Sequence, residues 1–122
     1  MTIAFINTKK REDFTEFKEM FEFIENYMGY LPNAYLLMAE NKALIKSFSD
    51  LTNVIFLSKN IDAGTKQLIA LASSLSSGCK YCQSHTAHGA ERSGISIKKI
   101  SDILNYSKSS LFDDKEKALL DL

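Results

Sequence analysis

The chain has 122 residues, with fifteen basic and fifteen acidic side chains, 45% hydrophobic residues and a single proline. That is the length of one domain with one core, read here as spanning residues 1–122. Balanced charge argues against a dedicated nucleic-acid binder, few breakers argue against a β-sandwich, and no apolar run approaches the ~18 residues of a membrane helix.

Taken in chain order, residues 1–13 place apolar side chains ahead of the charges, the reverse of a secretory leader, so the protein reads as cytoplasmic. From about Glu12 to Met28, the residues Phe14, Phe17, Phe21, Ile24 and Met28 recur at helical spacing, with Glu16, Glu22 and Glu25 on the other side. This stripe reads first as the buried face of a helix and second as a subunit interface. Gly29 and Pro32 stop the helix. Asn33 then caps a short helix, Ala34 to Ala39, and a longer one runs from Lys42 to Leu57 with Leu44, Ile45, Phe48, Leu51, Val54, Ile55 and Phe56 as its apolar set.

Asp62 is a good N-cap for a helix from Ala63 to Ser76, with Leu68, Ile69, Ala72 and Leu75 on one face. Its many alanines and serines let a neighbouring helix come close. Gly78 ends it, and another helix begins at Cys79 or Lys80 and runs to Arg92. Ser96 caps a helix through Tyr106 with Ile97, Ile100, Ile103 and Leu104 inward. Asp113 or Asp114 caps a last segment, Lys115 to Leu122, which stops while still helical in pattern, so the chain reads as cut there. With no strand pattern and no solenoid repeat, the fold class is all-α.

The chemistry lies in Ser77-Gly78-Cys79-Lys80-Tyr81-Cys82-Gln83-Ser84-His85-Thr86-Ala87-His88. Two cysteines at i and i+3 in a first helical turn face the same side, at ~5–6 Å between Cα atoms, which suits a disulfide. Unpaired N–H groups and the dipole of a helix start favour thiolate, the reactive form, and Lys80 adds a cation. His85, one turn beyond Cys82, is placed to exchange a proton with the thiol. Haem attachment is excluded because Gln83, not histidine, follows the second cysteine. A thioredoxin motif lacks its preceding strand. Zinc binding by Cys79, Cys82, His85 and His88 fails because residues three apart drift by about 60° per step along a helix, which turns His88 away from Cys79. No metal or cofactor is expected. Two reduced cysteines that merely pack remain the bland alternative.

Gln67-Leu68-Ile69-Ala70-Leu71-Ala72 followed by the cysteine segment resembles the alkylhydroperoxidase D-like branch of the carboxymuconolactone decarboxylase family, with Pro32-Asn33 and Phe112-Asp113-Asp114-Lys115-Glu116-Lys117-Ala118 adding to the likeness. The resemblance covers residues 30–122. It implies an all-helical fold in which a helical hairpin presents the CxxC, and homo-oligomers, trimers or multiples of them, with a dimer as runner-up. It implies peroxide reduction by the cysteine pair and re-reduction by a thiol or lipoyl-type partner. Cys82 matches the peroxide-attacking cysteine and Cys79 the resolving one. The family's relay glutamate corresponds to Gln67, its histidine after the pair to Thr86 with His85 one residue early, and the histidine before the second cysteine to Tyr81.

The first expectation is therefore a thiol peroxidase. Cys82 and Cys79 cycle between dithiol and disulfide, His85 serves as acid or base, and Tyr81 or Gln67 donates hydrogen bonds. The second is a redox sensor or interaction module using the same CxxC without turnover. A decarboxylase ranks last, because that branch lacks the cysteine pair.

Overall fold

The computed structural model describes residues 6–7 and 9–122, so part of the opening stretch read against a leader lies outside the described residues. Among the described residues there are seven α-helices, three short 3₁₀ turns and no strand, so the all-α expectation holds. No described helix is long and apolar enough to cross a membrane. The chain divides into two compact units, one reaching to Ile55 and the other covering Phe56–Leu122.

The first unit carries α1 (Lys18–Met28), α2 (Asn33–Ala39) and most of α3 (Lys42–Leu57). The expected helix from Glu12 is shorter at its start. Residues Arg11–Asp13 and Thr15–Phe17 form 3₁₀ turns, separated by Phe14 at φ −107°, ψ 55°. That break lets the Phe14 ring turn into the core, where it meets Phe21 edge-on at 6.4 Å while Phe17 lies 6.1 Å from Phe21. The phenylalanine stripe is thus buried within its own unit, together with Ile24, Tyr35, Ala39 and Ile45. α1 ends as its sequence requires, at Gly29 with φ +84°. The start of α2 differs by one residue. Pro32 is the N-cap, with no side-chain hydrogen bond, and Asn33 is the first helical residue.

α3 has the expected bounds but buries only one member of its apolar set, Ile45. Leu44, Phe48, Leu51, Val54 and Ile55 are exposed. The Tyr35 ring lies 5.8 Å from that of Phe48.

In the second unit, α4 (Ala63–Ser76) and α5 (Lys80–Arg92) form an antiparallel hairpin. Asp62 caps α4 by accepting from the Thr65 N–H at 2.9 Å and the Thr65 hydroxyl at 2.7 Å, which holds its carboxyl below the usual carboxylate range. Lys66 is buried, and its ammonium donates to the carbonyls of Phe56 and Ser58 and to the Ser58 hydroxyl. Those donors close the C-terminus of α3, where carbonyls lack helical partners.

Beyond α5 come α6 (Ile97–Ser101), a 3₁₀ turn Ile103–Asn105 and α7 (Asp114–Leu120). The helix expected from Ser96 through Tyr106 is broken at Asp102, φ −93° and ψ 8°. Five helical residues have room for only one buried face. Ile103 is buried and Ile100 half-buried, whereas Ile97 and Leu104 are 65% and 80% exposed, so those two are not inward. α7 is closed by a reciprocal capping box between Asp113 and Glu116. Glu116 also pairs with Lys99 at 2.6 Å, and the Lys99 ammonium lies over the Phe112 ring. The core of this unit is Leu68, Leu71, Ala90, Ile103 and Phe112.

Phe21 is fully buried at the centre of the first unit's aromatic cluster. Phe21→Ala should lower unfolding stability by about 3–5 kcal/mol, read as a reduced urea midpoint with unchanged helical content at zero denaturant. An unchanged midpoint would show that the cluster does not hold this unit.

Candidate active site

The turn between α4 and α5 is set by hydrogen bonds that follow from Gly78. Gly78 takes φ +69°, a conformation that L side chains rarely adopt. Its N–H donates to the Leu75 carbonyl at 3.1 Å, and the next N–H, that of Cys79, donates to the Ser74 carbonyl at 3.0 Å. This is the paired bonding of a Schellman motif, which satisfies two otherwise orphaned carbonyls of α4. The Ser74 carbonyl also accepts from Gln83 Nε2 at 3.2 Å and from the Ser77 hydroxyl at 3.2 Å. One carbonyl therefore ties the end of α4 to the start of α5.

Cys79 is at the same time the N-cap of α5, with extended backbone at φ −75°, ψ 95°. Its Sγ accepts from the Cys82 N–H at 3.2 Å. The Cα atoms of Cys79 and Cys82 lie 5.3 Å apart, and the two sulfurs are joined as a disulfide. Both cysteines are half-buried. The pair therefore meets the requirement of a redox couple: it sits at a helix start and closes within one turn.

Along α5, the Tyr81 and His85 rings approach to 4.0 Å between centroids. Burial, and secondarily the neighbouring His88, hold the His85 pKa below its ordinary value, which favours the neutral imidazole. Thr86, at the position corresponding to the family histidine, donates its hydroxyl to the Cys82 carbonyl at 2.8 Å. It acts on the backbone rather than on a proton.

Gln67 lies on α4 and is buried. Its amide rests against the backbone of Gly89 on α5. A Cβ there would come within 2.7 Å of Gln67 Cδ, 2.8 Å of Oε1 and 2.9 Å of Nε2. Near the other end of the hairpin, Gly64 comes equally close to Ile95, whose Cδ1 would lie 2.6 Å from an added Cβ. The hairpin thus brings Gln67 onto the helix that carries Tyr81, Cys82 and His85. Gly89 was not singled out from the sequence. Its one legible signal is that glycine inside a helix costs about 1 kcal/mol relative to alanine, which marks a close approach.

A cleft of about 480 Å³ flanks α5 and is lined by Leu71, Leu75, Lys80, Gln83, Ala87 and Ile103 among others. Lys80 and Gln83 belong both to this cleft and to the cysteine segment. Lys80 is the only formally charged side chain between Lys66 and Glu91, so α4 beyond Lys66, the turn and most of α5 bring no carboxylate to the disulfide.

The sequence profile of the carboxymuconolactone decarboxylase family matches residues 43–122. Two solved structures of the debrominase Bmp8 superpose with a TM-score of 0.88 at 30% sequence identity, covering 97% of this chain. One is the unliganded protein, and the other is a cysteine-to-alanine variant in complex with 2,3,4-tribromopyrrole. The present chain spans 63% of the Bmp8 chain. No curated protein matches the sequence.

A pKa held low by the fold means that the unfolded chain binds the proton more readily. Stability from neutral His85 is present above the unfolded value of 6.5 and is lost as pH falls through the lower folded value. A proton NMR titration should place the His85 midpoint below 6.5. His88→Gln should raise that midpoint without restoring it, because burial is the larger cause. A wild-type midpoint at or above the ordinary value would contradict this assignment.

Proposed function

The chain belongs to the carboxymuconolactone decarboxylase family, and from that membership we propose that it is a dithiol-dependent reductase whose electron acceptor is a hydroperoxide. The observation that carries this reading is the Cys79–Cys82 disulfide closed across the first turn of α5. The Cα atoms of the couple, 5.3 Å apart, lie within the span that a disulfide bridges.

In the reaction, the Cys82 thiol loses its proton to His85 and the thiolate attacks one peroxide oxygen. The O–O bond breaks, Cys82 becomes a sulfenic acid, and the departing alkoxide takes the proton back from His85. Cys79 as thiolate then attacks the Cys82 sulfur. Hydroxide leaves and is protonated to water, and the disulfide forms. Two external thiols, or one dithiol of lipoyl type, restore the pair and are themselves oxidised to a disulfide. The Tyr81 ring, tilted against His85 at 4.0 Å between centroids, orients the imidazole, and the Gln67 amide contributes a neutral hydrogen-bonding group where a glutamate would have been a base. A sensor built on the same pair would oxidise once per molecule and would not turn over.

The likeness to Bmp8 favours a second reading, reductive dehalogenation of a brominated heteroaromatic. The electron count is the same. The Cys82 thiolate takes bromine from carbon, the ring carbanion takes a proton, and Cys79 displaces bromide from the Cys82 sulfur to give the disulfide. The cleft beside Lys80, with its apolar lining, is of a size that holds small organic molecules.

We also propose that the protein assembles as a homo-oligomer, a trimer or a multiple of it, in the cytoplasm. The exposed row Leu44, Phe48, Leu51 and Ile55 on α3 supports this, since large apolar rows usually mark contacts.

With a thiol reductant in excess, the protein should consume cumene hydroperoxide catalytically. Cys82→Ser should reduce turnover to the uncatalysed background, and Cys79→Ser should accumulate a sulfenic acid trapped by dimedone. Brominated pyrroles assayed in parallel separate the two readings by release of bromide. Wild-type activity surviving in Cys82→Ser would sink both. By light scattering, the mass should exceed the 13.7 kDa of one chain at micromolar concentration and persist in high salt, because apolar burial is not screened. A monomer across a dilution series would refute the assembly.

A further inference from the structure

The two cysteines occupy chemically different positions, although they share one helical turn. Cys79 is the N-cap of α5, a helix of thirteen residues, and its sulfur accepts the Cys82 N–H at 3.2 Å. Its own N–H is spent on the Ser74 carbonyl, which pins the residue at the helix end. Cys82 is the third residue of α5, one turn further from that end. Its N–H is the donor to Cys79, and its carbonyl accepts the Thr86 hydroxyl. Negative charge on sulfur is therefore stabilised at Cys79 by a backbone donor and by the positive end of α5.

The surrounding charges act in the same direction. Lys80 is adjacent on α5, and neither α4 beyond Lys66 nor the connecting turn contributes a carboxylate. The other titratable groups on this stretch of α5 are Tyr81, His85 and His88. On α6, Lys99 is engaged by Glu116 at 2.6 Å and Lys98 is exposed.

We propose that Cys79 carries the thiolate of the reduced pair and is the leaving group when the disulfide is reopened, so that the external reductant becomes covalently attached to Cys82. This rests on the dithiol–disulfide reading above and adds which sulfur meets the partner. A reductant thiolate attacks Cys82 Sγ. The S–S bond breaks, its electron pair stays on Cys79 Sγ, and a mixed disulfide joins the reductant to Cys82. A second reductant thiolate attacks the reductant's own sulfur and displaces Cys82 as thiolate, which takes a proton. The pair is reduced, and two reductant thiols are oxidised to one disulfide. The sulfur with the lower thiol pKa leaves faster, and this sets the direction of opening. The partner therefore presents its thiolate to Cys82, on the side of α5 that also carries His85.

Two measurements test this without any peroxide or halide, so their failure is distinct from a failure of the acceptor assays. The first compares alkylation by iodoacetamide as a function of pH in Cys82→Ser, which retains Cys79, and in Cys79→Ser, which retains Cys82. The Cys79 midpoint should fall at least about one pH unit below the free-thiol value of ~8.5, and the Cys82 midpoint should not. The second uses the unmodified protein, and so decides the matter if a variant fails to fold. The oxidised protein is mixed with 2-mercaptoethanol, quenched rapidly in acid, blocked and digested with trypsin, which cuts after Lys80 and puts the two sulfurs on separate peptides. The mercaptoethanol adduct should sit on the Cys82 peptide in about tenfold excess. An adduct mainly on Cys79, or a Cys79 midpoint no lower than that of Cys82, would overturn the proposal.

Discussion

The second unit depends on one residue serving two helices. Cys79 donates its N–H to close the Schellman motif of α4 and lends its sulfur to cap α5. Without a spare linker residue, the hairpin has no slack at the CxxC. The geometry of the disulfide is therefore inherited from the turn. Gly78 supplies the positive φ that makes the turn possible, and the Ser74 carbonyl gathers three donors around it. The cysteine pair is held in place because its backbone is already committed to the turn.

The second constraint is how closely α4 and α5 approach. Gly89 leaves no room for a Cβ, because the Gln67 amide of α4 occupies the space. A carboxylate buried there would lose its hydration, with only Lys80 charged between Lys66 and Glu91, and burying an unpaired charge is costly. A neutral amide avoids that cost and cannot act as a base. On α5, burial and the neighbouring His88 lower the His85 pKa, and the Tyr81 ring lies tilted against the imidazole at 4.0 Å between centroids.

The first unit satisfies its apolar residues unevenly. Its ring cluster of Phe14, Phe17 and Phe21 is self-contained, because a break in the helix at Phe14 lets three rings meet. On α3 the reverse holds. Ile45 is buried, and the apolar residues at its helical neighbours face outward. Periodicity identifies an apolar face, but it does not say whether the same chain covers it.

Much of this was legible in the residues alone. Asp62, Gly78, Ser96 and Asp113 mark helix ends by local chemistry, and the bounds of α3 and α4 follow from them and from period. The pairing of Cys79 with Cys82 is also local, since i and i+3 in one turn leave the sulfurs within bonding reach. Other features needed the fold. The Phe14 break and the Asp102 break depend on where the core lies, and so does the outward placement of Ile97 and Leu104. Gly89 and Gln67 are twenty-two positions apart, and only the packing of α4 on α5 brings them together. Sequence thus determined the elements and the cysteine pairing, because helix capping and one-turn bonding act over a few residues. Tertiary structure decided which side chains surround that pair, because burial and interhelical distance are properties of two segments at once.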